Sequence, residues 1–195
     1  MGQGPSGFIP PPADAGGGGR CYQEDGRLPP AGRLSVDSDL MESAPPRPRI
    51  YSKQFAVPPE AIDVNRHVSN LAYVQWMQDI AIEHSAAAGW TMARYLELGA
   101  GWVVRSHFIE YLRPAFEGDV LSVHTWVPRF DQRSTPRRYL FVRESDRAVV
   151  AQAETRWVFV DLTTGRRRPL PSELIDAFDV VTEESEVRRT LGLVS

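Results

Sequence analysis

The 195-residue sequence has one cysteine, Cys21, and no hydrophobic run that approaches the roughly 18 residues of a membrane-spanning helix. A lone cysteine forms no disulfide within its chain and supplies no cysteine metal centre, which favours a reducing compartment, and we expect a cytoplasmic location. The four histidines show no zinc-ligand spacing that also includes a third ligand. The sequence therefore predicts no metal and no other cofactor.

A large excess of charge of either sign is also missing. The sequence has 22 basic and 25 acidic residues, for a formal net charge of −3. Proteins that bind nucleic acids or anionic membranes need a basic surface. We therefore expect neither a nucleic acid nor a membrane as a partner.

Glycine and proline are scarce in most of the chain but concentrated at its beginning. Residues 1–48 contain 18 of the 31 glycines and prolines and few large apolar residues. Such a segment buries too little apolar surface to offset the entropy cost of ordering it. We predict a disordered Gly/Pro-rich leader over residues 1–48, a domain over residues 49–181 and a frayed, charged C-terminus over residues 182–195. Within the leader, Met41 is an alternative start of the protein.

The domain has the hydrophobic periodicity of an α+β protein. An alternating segment over residues 49–57 predicts a strand. Helical spacing then predicts a long apolar helix that begins at Ser69 or Asn70 and stops at Gly89. The remaining predicted elements are strands over residues 102–112, 120–130, 138–144 and 149–161 and short helices over residues 91–98 and 172–178.

The short connections between these strands determine the expected architecture. Neighbouring strands with short links are antiparallel, so we predict one five-stranded antiparallel sheet wrapped around one long apolar helix. The sheet edges would be left unpaired. Because a fold of this size commonly closes such an edge with a second copy, we expect at least a dimer.

The polar residues that can carry out chemistry are concentrated directly before the long helix. Residues 63–76 read DVNRHVSNLAYVQW. Asp63 can act as a general base on water or as a nucleophile, Asn65 can orient a water or a carbonyl, and His67 can donate a hydrogen bond or move a proton. The unpaired N–H groups of a helix N-terminus also suit a developing oxyanion.

This pattern, D-x-N-x-H-V-x-N-x-x-Y-x-x-W before an apolar helix, resembles the hot-dog-fold acyl thioesterases. The resemblance is to the 4-hydroxybenzoyl-CoA thioesterase type and, in DVNRHV, to the acyl-ACP thioesterases. Two later segments resemble the same family: FIEYLRP at residues 108–114 followed by Gly-Asp, and ETRWVFVD at residues 154–161. The three matches follow the family's order over residues 50–170, and together they imply a single hot-dog fold.

The resemblance also implies roles for individual residues. It places the family's catalytic carboxylate at Asp63 and further site residues at Asn65 and His67. It makes Asn70 a candidate for polarising the thioester, and it places a backbone N–H of the site near residues 99–101. Many relatives have glycine directly before the His-Val pair, where this sequence has arginine at position 66.

Two further sets of residues are candidates for binding the substrate. Tyr73 and Trp76 line either the core or an acyl pocket. Arginines at strand ends lie either on a solvated rim or against the phosphates of coenzyme A, since arginine binds phosphate through two hydrogen bonds. These are Arg133, Arg137 and Arg138, with a second cluster at residues 166–168.

Three other titratable residues on the long helix have simpler interpretations. His84 falls on the apolar stripe, so we expect it in the core or an interface. Asp79 and Glu83 share one face of the helix, and we expect both in solvent. Another branch of the fold carries its catalytic carboxylate on this helix, but here Asp63 occupies that role.

We predict an enzyme that hydrolyses acyl thioesters, with acyl-CoA as the leading substrate class and Asp63 as base or nucleophile. It would act in fatty acid metabolism as a homodimer or a dimer of dimers. Three alternatives stay open: an acyl-ACP thioesterase, a hydratase or dehydratase of the same fold, and a non-catalytic acyl-CoA-binding protein. Hot-dog hydratases usually separate Asp from His by five positions, whereas Asp63 and His67 are four apart.

Overall fold

The computed structural model describes residues 48–193, and these form one five-stranded antiparallel sheet with helices. The strands are β1 (Tyr51–Ala56), β2 (Ala100–Tyr111), β3 (Val120–Trp126), β4 (Ser134–Arg143) and β5 (Ala148–Asp161). The helices are α1 (Asn70–Ala87), α2 (Met92–Glu97), α3 (Ser172–Ile175) and α4 (Glu184–Thr190). The predicted α+β class and antiparallel sheet are confirmed, while residues 1–47 of the predicted leader lie outside the described residues.

The order of strands across the sheet is β1-β3-β4-β5-β2. The long pairing of β2 with β5 runs from Ala100 opposite Asp161 to Tyr111 opposite Ala151, with a bulge between Val104 and Ser106. The opposite side of β2 pairs with no strand within residues 48–193. A 12-residue strand with an open edge is therefore available for pairing with a second chain.

Helix α1 begins and ends where the local sequence predicts. The Ser69 hydroxyl accepts a hydrogen bond from the Ala72 N–H at 3.2 Å, as an N-cap does. After the helix, Gly89 has a φ of 81°, a conformation that glycine adopts without steric cost. The helix packs against the inner face of the sheet through a buried stripe of Tyr73, Met77, Ile80, Ala81 and His84.

Strand β4 begins earlier than predicted, at Ser134 instead of residue 138. Pro136 lies in this extension, opposite Arg156 of β5. The pairing between β3 and β4 stops at Trp126 opposite Arg138, so Pro136 lies where β4 has no β3 neighbour. A proline is tolerated there because it owes no hydrogen bond to that side.

The C-terminal segment corrects two expectations, a frayed end and a single helix packed on the sheet. Residues Glu184–Thr190 form helix α4, and Val187 and Leu193 are buried. They pack on the outer face of the sheet against Trp126, Leu140 and Val142. Because charged residues surround Val187 and Leu193, the hydrophobic periodicity of this segment does not predict a packed helix. Its few apolar side chains become buried only where the sheet supplies an apolar surface.

Docking of α4 predicts a measurable loss of stability on truncating Val187. Val187→Ala should lower the free energy of unfolding by about 2 kcal/mol, from about 0.8 kcal/mol for each buried carbon plus a cavity term. Urea titration followed by circular dichroism measures this change. Ser185→Ala, at an exposed position of the same helix, is the matched control. A Val187→Ala variant as stable as the control would contradict the docking.

Two apolar clusters fill the inner side of the sheet. One surrounds Tyr73, Met77 and Phe141, and the other surrounds Tyr95 and Phe159. No helix within residues 48–193 combines the length and apolarity that crossing a membrane requires.

Candidate active site

A tight turn directly before α1 holds the Asp63 carboxylate. The Asp63 N–H donates to the His67 carbonyl at 3.0 Å, and the Arg66 N–H donates to the Asp63 carbonyl at 3.0 Å. The backbone N–H of Asn65 donates to Asp63 Oδ1 at 2.7 Å, and the Asn65 side-chain amide lies 3.5 Å from Oδ2. The Asp63 side chain is 28% exposed. It is thus oriented by hydrogen bonds and still accessible to a water or a substrate.

His67 lies beside this carboxylate. Its Nδ1 is 3.8 Å from Asp63 Oδ1 and 3.3 Å from the Val68 carbonyl oxygen. Asn70, the first residue of α1, is exposed, and its carbonyl oxygen lies 3.5 Å from the Tyr111 hydroxyl. The structure therefore brings Asp63, Asn65 and His67 together and places Asn70 at the adjacent helix terminus.

The backbone around the turn is anchored on two sides. The Val68 N–H donates to the Ala115 carbonyl in the connection between β2 and β3, and the Ser69 N–H donates to the Ala61 carbonyl. The first N–H groups of α1 have no partner four residues earlier, and Ser69 caps only that of Ala72. The positive end of an 18-residue helix thus lies directly after the Asp63 turn.

Arg66 directly precedes the His-Val pair, where the family resemblance leads us to expect glycine. Its φ is 64°, in the left-handed region that costs a non-glycine residue roughly 1–2 kcal/mol. The turn thus has the backbone shape that glycine accepts, although the sequence supplies arginine.

The strain at Arg66 predicts a difference between two variants. Arg66→Ala removes the side chain beyond Cβ, and Arg66→Gly removes the Cβ as well. We expect Arg66→Gly to be more stable than Arg66→Ala by about 0.5–1 kcal/mol, because the relief of strain exceeds the larger chain entropy of glycine. Differential scanning calorimetry measures both variants, and equal stabilities would show that the strain at position 66 does not exceed the entropy cost of glycine.

Tyr73 and Trp76 make core contacts. Tyr73 is buried with ring centroids 5.5 Å from Trp76 and 5.0 Å from Phe141, and burial raises the pKa of its hydroxyl to about 12. Trp76 packs on Phe55 of β1 at 4.8 Å and lines a cavity of about 280 Å³ beside that strand. Neither ring is assigned to a substrate by these contacts.

The three candidate arginines of β4 and the loop before it do not share a surface. Arg133 is exposed, Arg137 is buried, and Arg138 points to the outer face, where it forms ion pairs with Glu154 and Glu184. Burial excludes the solvated-rim interpretation for Arg137, and Arg138 is paired with carboxylates. The period of two along β4 is the sequence signal that separates their faces.

A cavity of about 250 Å³ that the sequence did not predict lies at the C-terminal half of α1. It opens between α1, α2 and the beginning of β2. Its lining is mainly apolar and aromatic and includes Trp90, Tyr95, Gly101, Trp102, Phe130 and Phe178, together with Arg137. Because these residues come from six separate segments, no local pattern indicated it.

His84 lies in the core, as expected. Its Nδ1 is 2.7 Å from Arg137 Nη1, and its Nε2 is 3.0 Å from the Pro48 carbonyl oxygen. Burial, together with the Arg137 charge, lowers the pKa of His84 to about 3. Within residues 48–193, no three His, Cys, Asp or Glu side chains are grouped so that they could hold a metal ion.

Comparison with known proteins places this geometry in a family. Residues 57–178 match the thioesterase-like superfamily. The chain is 28% identical over 116 residues to the long-chain acyl-CoA thioesterase FadM of Escherichia coli strain K12, a match that covers 58% of this chain and 85% of FadM.

Two solved structures show the same fold. The hypothetical protein SAV2348 from Staphylococcus aureus, in complex with CoA, has a TM-score of 0.62 and 16% identity, covering 71% of this chain and 91% of that one. An acyl-ACP thioesterase from Bacteroides thetaiotaomicron has a TM-score of 0.63 and 22% identity, covering 68% of this chain and 54% of that one.

The family match covers more than half of the sequence, and the chain therefore belongs to the thioesterase-like superfamily. The resemblance to hot-dog thioesterases and the predicted hot-dog fold are confirmed. The predicted enzyme class, a thioester hydrolase, is confirmed as well.

Proposed function

We propose that this protein hydrolyses acyl-CoA thioesters, with Asp63 as the group that starts the reaction. The observation that supports this most directly is the Asp63 carboxylate, held by Asn65 and partly exposed beside the N-terminus of α1. The similarity to the acyl-CoA thioesterase FadM supports the choice of carrier.

The position of Asp63 is compatible with two roles, general base or nucleophile. As a general base it takes a proton from water while the oxygen attacks the thioester carbonyl carbon. As a nucleophile its own oxygen attacks, the thiolate leaves, and water then hydrolyses the resulting anhydride. In the first case the protonated Asp63 or His67 returns the proton to the departing sulfur.

The oxyanion that forms in either path needs hydrogen-bond donors. The first N–H groups of α1 supply them, with the side-chain amide of Asn70 or Asn65 as a further donor. These groups are held before the reaction by the Ser69 cap and by the two backbone anchors of the turn. The positive end of the helix then stabilises the negative charge without reorganisation.

A homodimer formed along the free edge of β2 would complete this site. Val103 and Phe108 are 44% and 64% exposed. They lie on the same face of β2, because their partners on β5, Val158 and Glu154, are four residues apart. A twofold axis between positions 105 and 106 would place Val103 of one copy opposite Phe108 of the other. The two exposed apolar side chains would then cover each other.

The same pairing would bring the cavity of one copy to the Asp63 turn of the other. Gln78, on the cavity wall, is eight residues beyond Asn70, about 12 Å along the helix at 1.5 Å per residue. The cavity is therefore remote from Asp63 of its own chain. Across the proposed axis, Ala100 lies opposite Tyr111, whose hydroxyl is next to Asn70.

The phosphates of coenzyme A would bind at a basic end of the sheet. Three arginines are exposed there, namely Arg133, Arg166 and Arg167. They lie at the same end of β5, because Val160 forms a β-bridge with Arg167 and the Phe159 N–H donates to the Arg133 carbonyl. This end also holds the cavity residues Trp157 and Leu162. Arg133 thus keeps its proposed role in phosphate binding, whereas Arg138 is occupied by carboxylates.

A panel of acyl-CoA and acyl-ACP substrates tests the proposal by release of free thiol. We expect acyl-CoA to be hydrolysed with a higher kcat/KM than the same acyl group on ACP, and the reverse order would favour an acyl-ACP thioesterase. Loss of absorbance from an enoyl-CoA without thiol release would indicate a hydratase. Tight binding by calorimetry with no product from any thioester would indicate a binding protein and contradict the proposal.

A further inference from the structure

Arg137 is the one arginine that is buried among residues 48–193, and it lacks an acidic partner there. Its exposed fraction is 5%. Eight other arginines of the described chain form ion pairs with carboxylates, and all of them keep part of their side chain in solvent. No carboxylate within residues 48–193 forms an ion pair with Arg137, although a buried charge is the one that most needs such a partner.

The hydrogen bond that Arg137 makes does not neutralise it. Nη1 donates to Nδ1 of His84, and the other ring nitrogen of His84 donates to the Pro48 carbonyl. With its pKa lowered to about 3, the imidazole is neutral at physiological pH. The ring stacks on Tyr51 at 5.6 Å and meets Phe178 edge-on at 5.2 Å. His84 therefore orients the guanidinium and leaves its charge uncompensated.

The surroundings of Arg137 are mainly apolar and aromatic, and no carboxylate is among the described residues that line its cavity. Arg137 lines the 250 Å³ cavity together with aromatic rings, and its guanidinium carbon is 5.8 Å from the Phe178 ring centroid. Trp90, on the same wall, has a buried indole N–H without an acceptor among residues 48–193. Arginine has five N–H donors, accepts no hydrogen bond and does not lose its proton in proteins.

A cavity with a fixed positive charge, spare donors and apolar walls complements a specific kind of ligand. An acceptor-only anion would satisfy the donors and the charge, and a short apolar chain would fill the rest. We propose that this cavity binds a carboxylate carried on a short apolar chain, with the Arg137 guanidinium as its counter-ion. The volume lies just below the roughly 300–1,000 Å³ of pockets for drug-sized ligands, which favours a short chain.

Two sources of this carboxylate exist for an acyl-CoA hydrolase, and this part of the inference rests on the proposed function. The first is the distal carboxylate of a dicarboxylic acid whose other end is the thioester. The second is the free acid released by hydrolysis, which would occupy the cavity as an inhibiting product. Both sources place a carboxylate on Arg137. Substrate preference tests the first source, and product inhibition tests the second.

Matched substrates test the first source in the full-length protein. Hexanoyl-CoA is compared with adipoyl-CoA, and octanoyl-CoA with suberoyl-CoA, so that each pair differs by one distal carboxylate. We expect wild type to prefer the dicarboxylic member by at least tenfold in kcat/KM. Arg137→Met should lower that preference about 10- to 100-fold, the range for a hydrogen-bonded charge pair. Arg137→Lys, which keeps the charge but loses the planar fork, should restore part of it.

Inhibition tests the second source. If the free acid is the ligand, hexanoate should inhibit hydrolysis of hexanoyl-CoA, and its inhibition constant should rise about 10- to 100-fold in Arg137→Met. Arg189→Met, an exposed arginine on α4, is the matched control and should behave as wild type in both assays. A wild-type protein without either effect, or an Arg137→Met variant that retains both, would overturn the proposal.

A structural role of Arg137 gives a different result. It would lower kcat/KM for both members of a substrate pair equally and lower Tm, an outcome that overturns the proposal. A carboxylate site predicts instead that Arg137→Met lowers kcat/KM selectively for the dicarboxylic member of each substrate pair.

Ligand-induced stabilisation separates this inference from the proposed function. Adipate should raise the Tm of wild type but not of Arg137→Met, and hexan-1-ol should not distinguish them. If no thioester is hydrolysed, the proposed function fails, and this shift in Tm still decides whether the cavity binds a carboxylate. Equal shifts in the two proteins would overturn the carboxylate site even in an active thioesterase.

Discussion

Asp63→Asn should lower kcat for the best acyl-CoA substrate by about 10²- to 10⁴-fold, the contribution of a positioned general base. The substitution removes the negative charge but keeps an oxygen that can accept the hydrogen bond of the Asn65 N–H, so the turn is retained. Because the side chain is partly exposed, we expect circular dichroism and Tm to stay close to wild type. Steady-state thiol release measures the effect.

Asp79→Asn is the matched control for this loss. Asp79 lies on α1, and its Oδ1 accepts a hydrogen bond from the Gln75 amide at 2.8 Å, outside the Asp63 turn. We expect its kcat to remain within about twofold of wild type, as for a surface change away from the site. A folded Asp63→Asn variant with normal turnover would refute the proposed mechanism. An Asp79→Asn variant that loses turnover would place the catalytic carboxylate on the helix.

A double substitution on the edge of β2, Val103→Lys with Phe108→Lys, should yield an inactive monomer. In the proposed dimer each introduced lysine would face a lysine of the other copy, whereas in the monomer the one at position 108 would be opposite Glu154 and the sheet would be preserved. In the proposed dimer, the cavity at the beginning of β2 of one copy completes the site at the Asp63 turn of the other. Without that second copy we expect kcat to fall by about 10²-fold or more, as on loss of an oxyanion donor. Light scattering during size-exclusion chromatography measures the mass.

The corresponding control introduces the same charge at an exposed apolar position away from that edge. Val180→Lys lies between α3 and α4, and we expect its mass and kcat to equal those of wild type. A monomeric double variant with wild-type kcat would show that one chain holds the complete site. A double variant that remains a dimer would place the interface elsewhere.

Local interactions explain why the Asp63 segment was predictable. A cap at Ser69, the apolar stripe that includes Met77, and a left-handed glycine at position 89 all act within a few residues of the chain. The turn before the helix is equally local, since Asn65 and His67 both lie next to Asp63. The sequence therefore predicted both the helix and the group of polar residues before it.

Non-local packing explains what was missed. The burial of Val187 depends on Trp126 and Leu140, about 50 to 60 positions earlier, so the charged residues around it predicted a frayed end. Arg137 and Arg138 were expected together, either on a solvated rim or against the phosphates of coenzyme A, although alternation along β4 places them on opposite faces. Two arginines that are adjacent in sequence therefore lie in different environments, one in the core and one on the outer face of the sheet.

The sequence by itself determined the antiparallel sheet, the helix that follows Asp63 and the class of enzyme, because periodicity, capping and a compact motif are written in neighbouring residues. Only the tertiary structure decided that β2 has a free edge within residues 48–193, that an aromatic cavity lies beside α1, and that a neutral histidine faces Arg137. Each of these features depends on segments that are far apart in sequence. Whether a side chain is buried and whether its charge is compensated depend on which of these segments pack together.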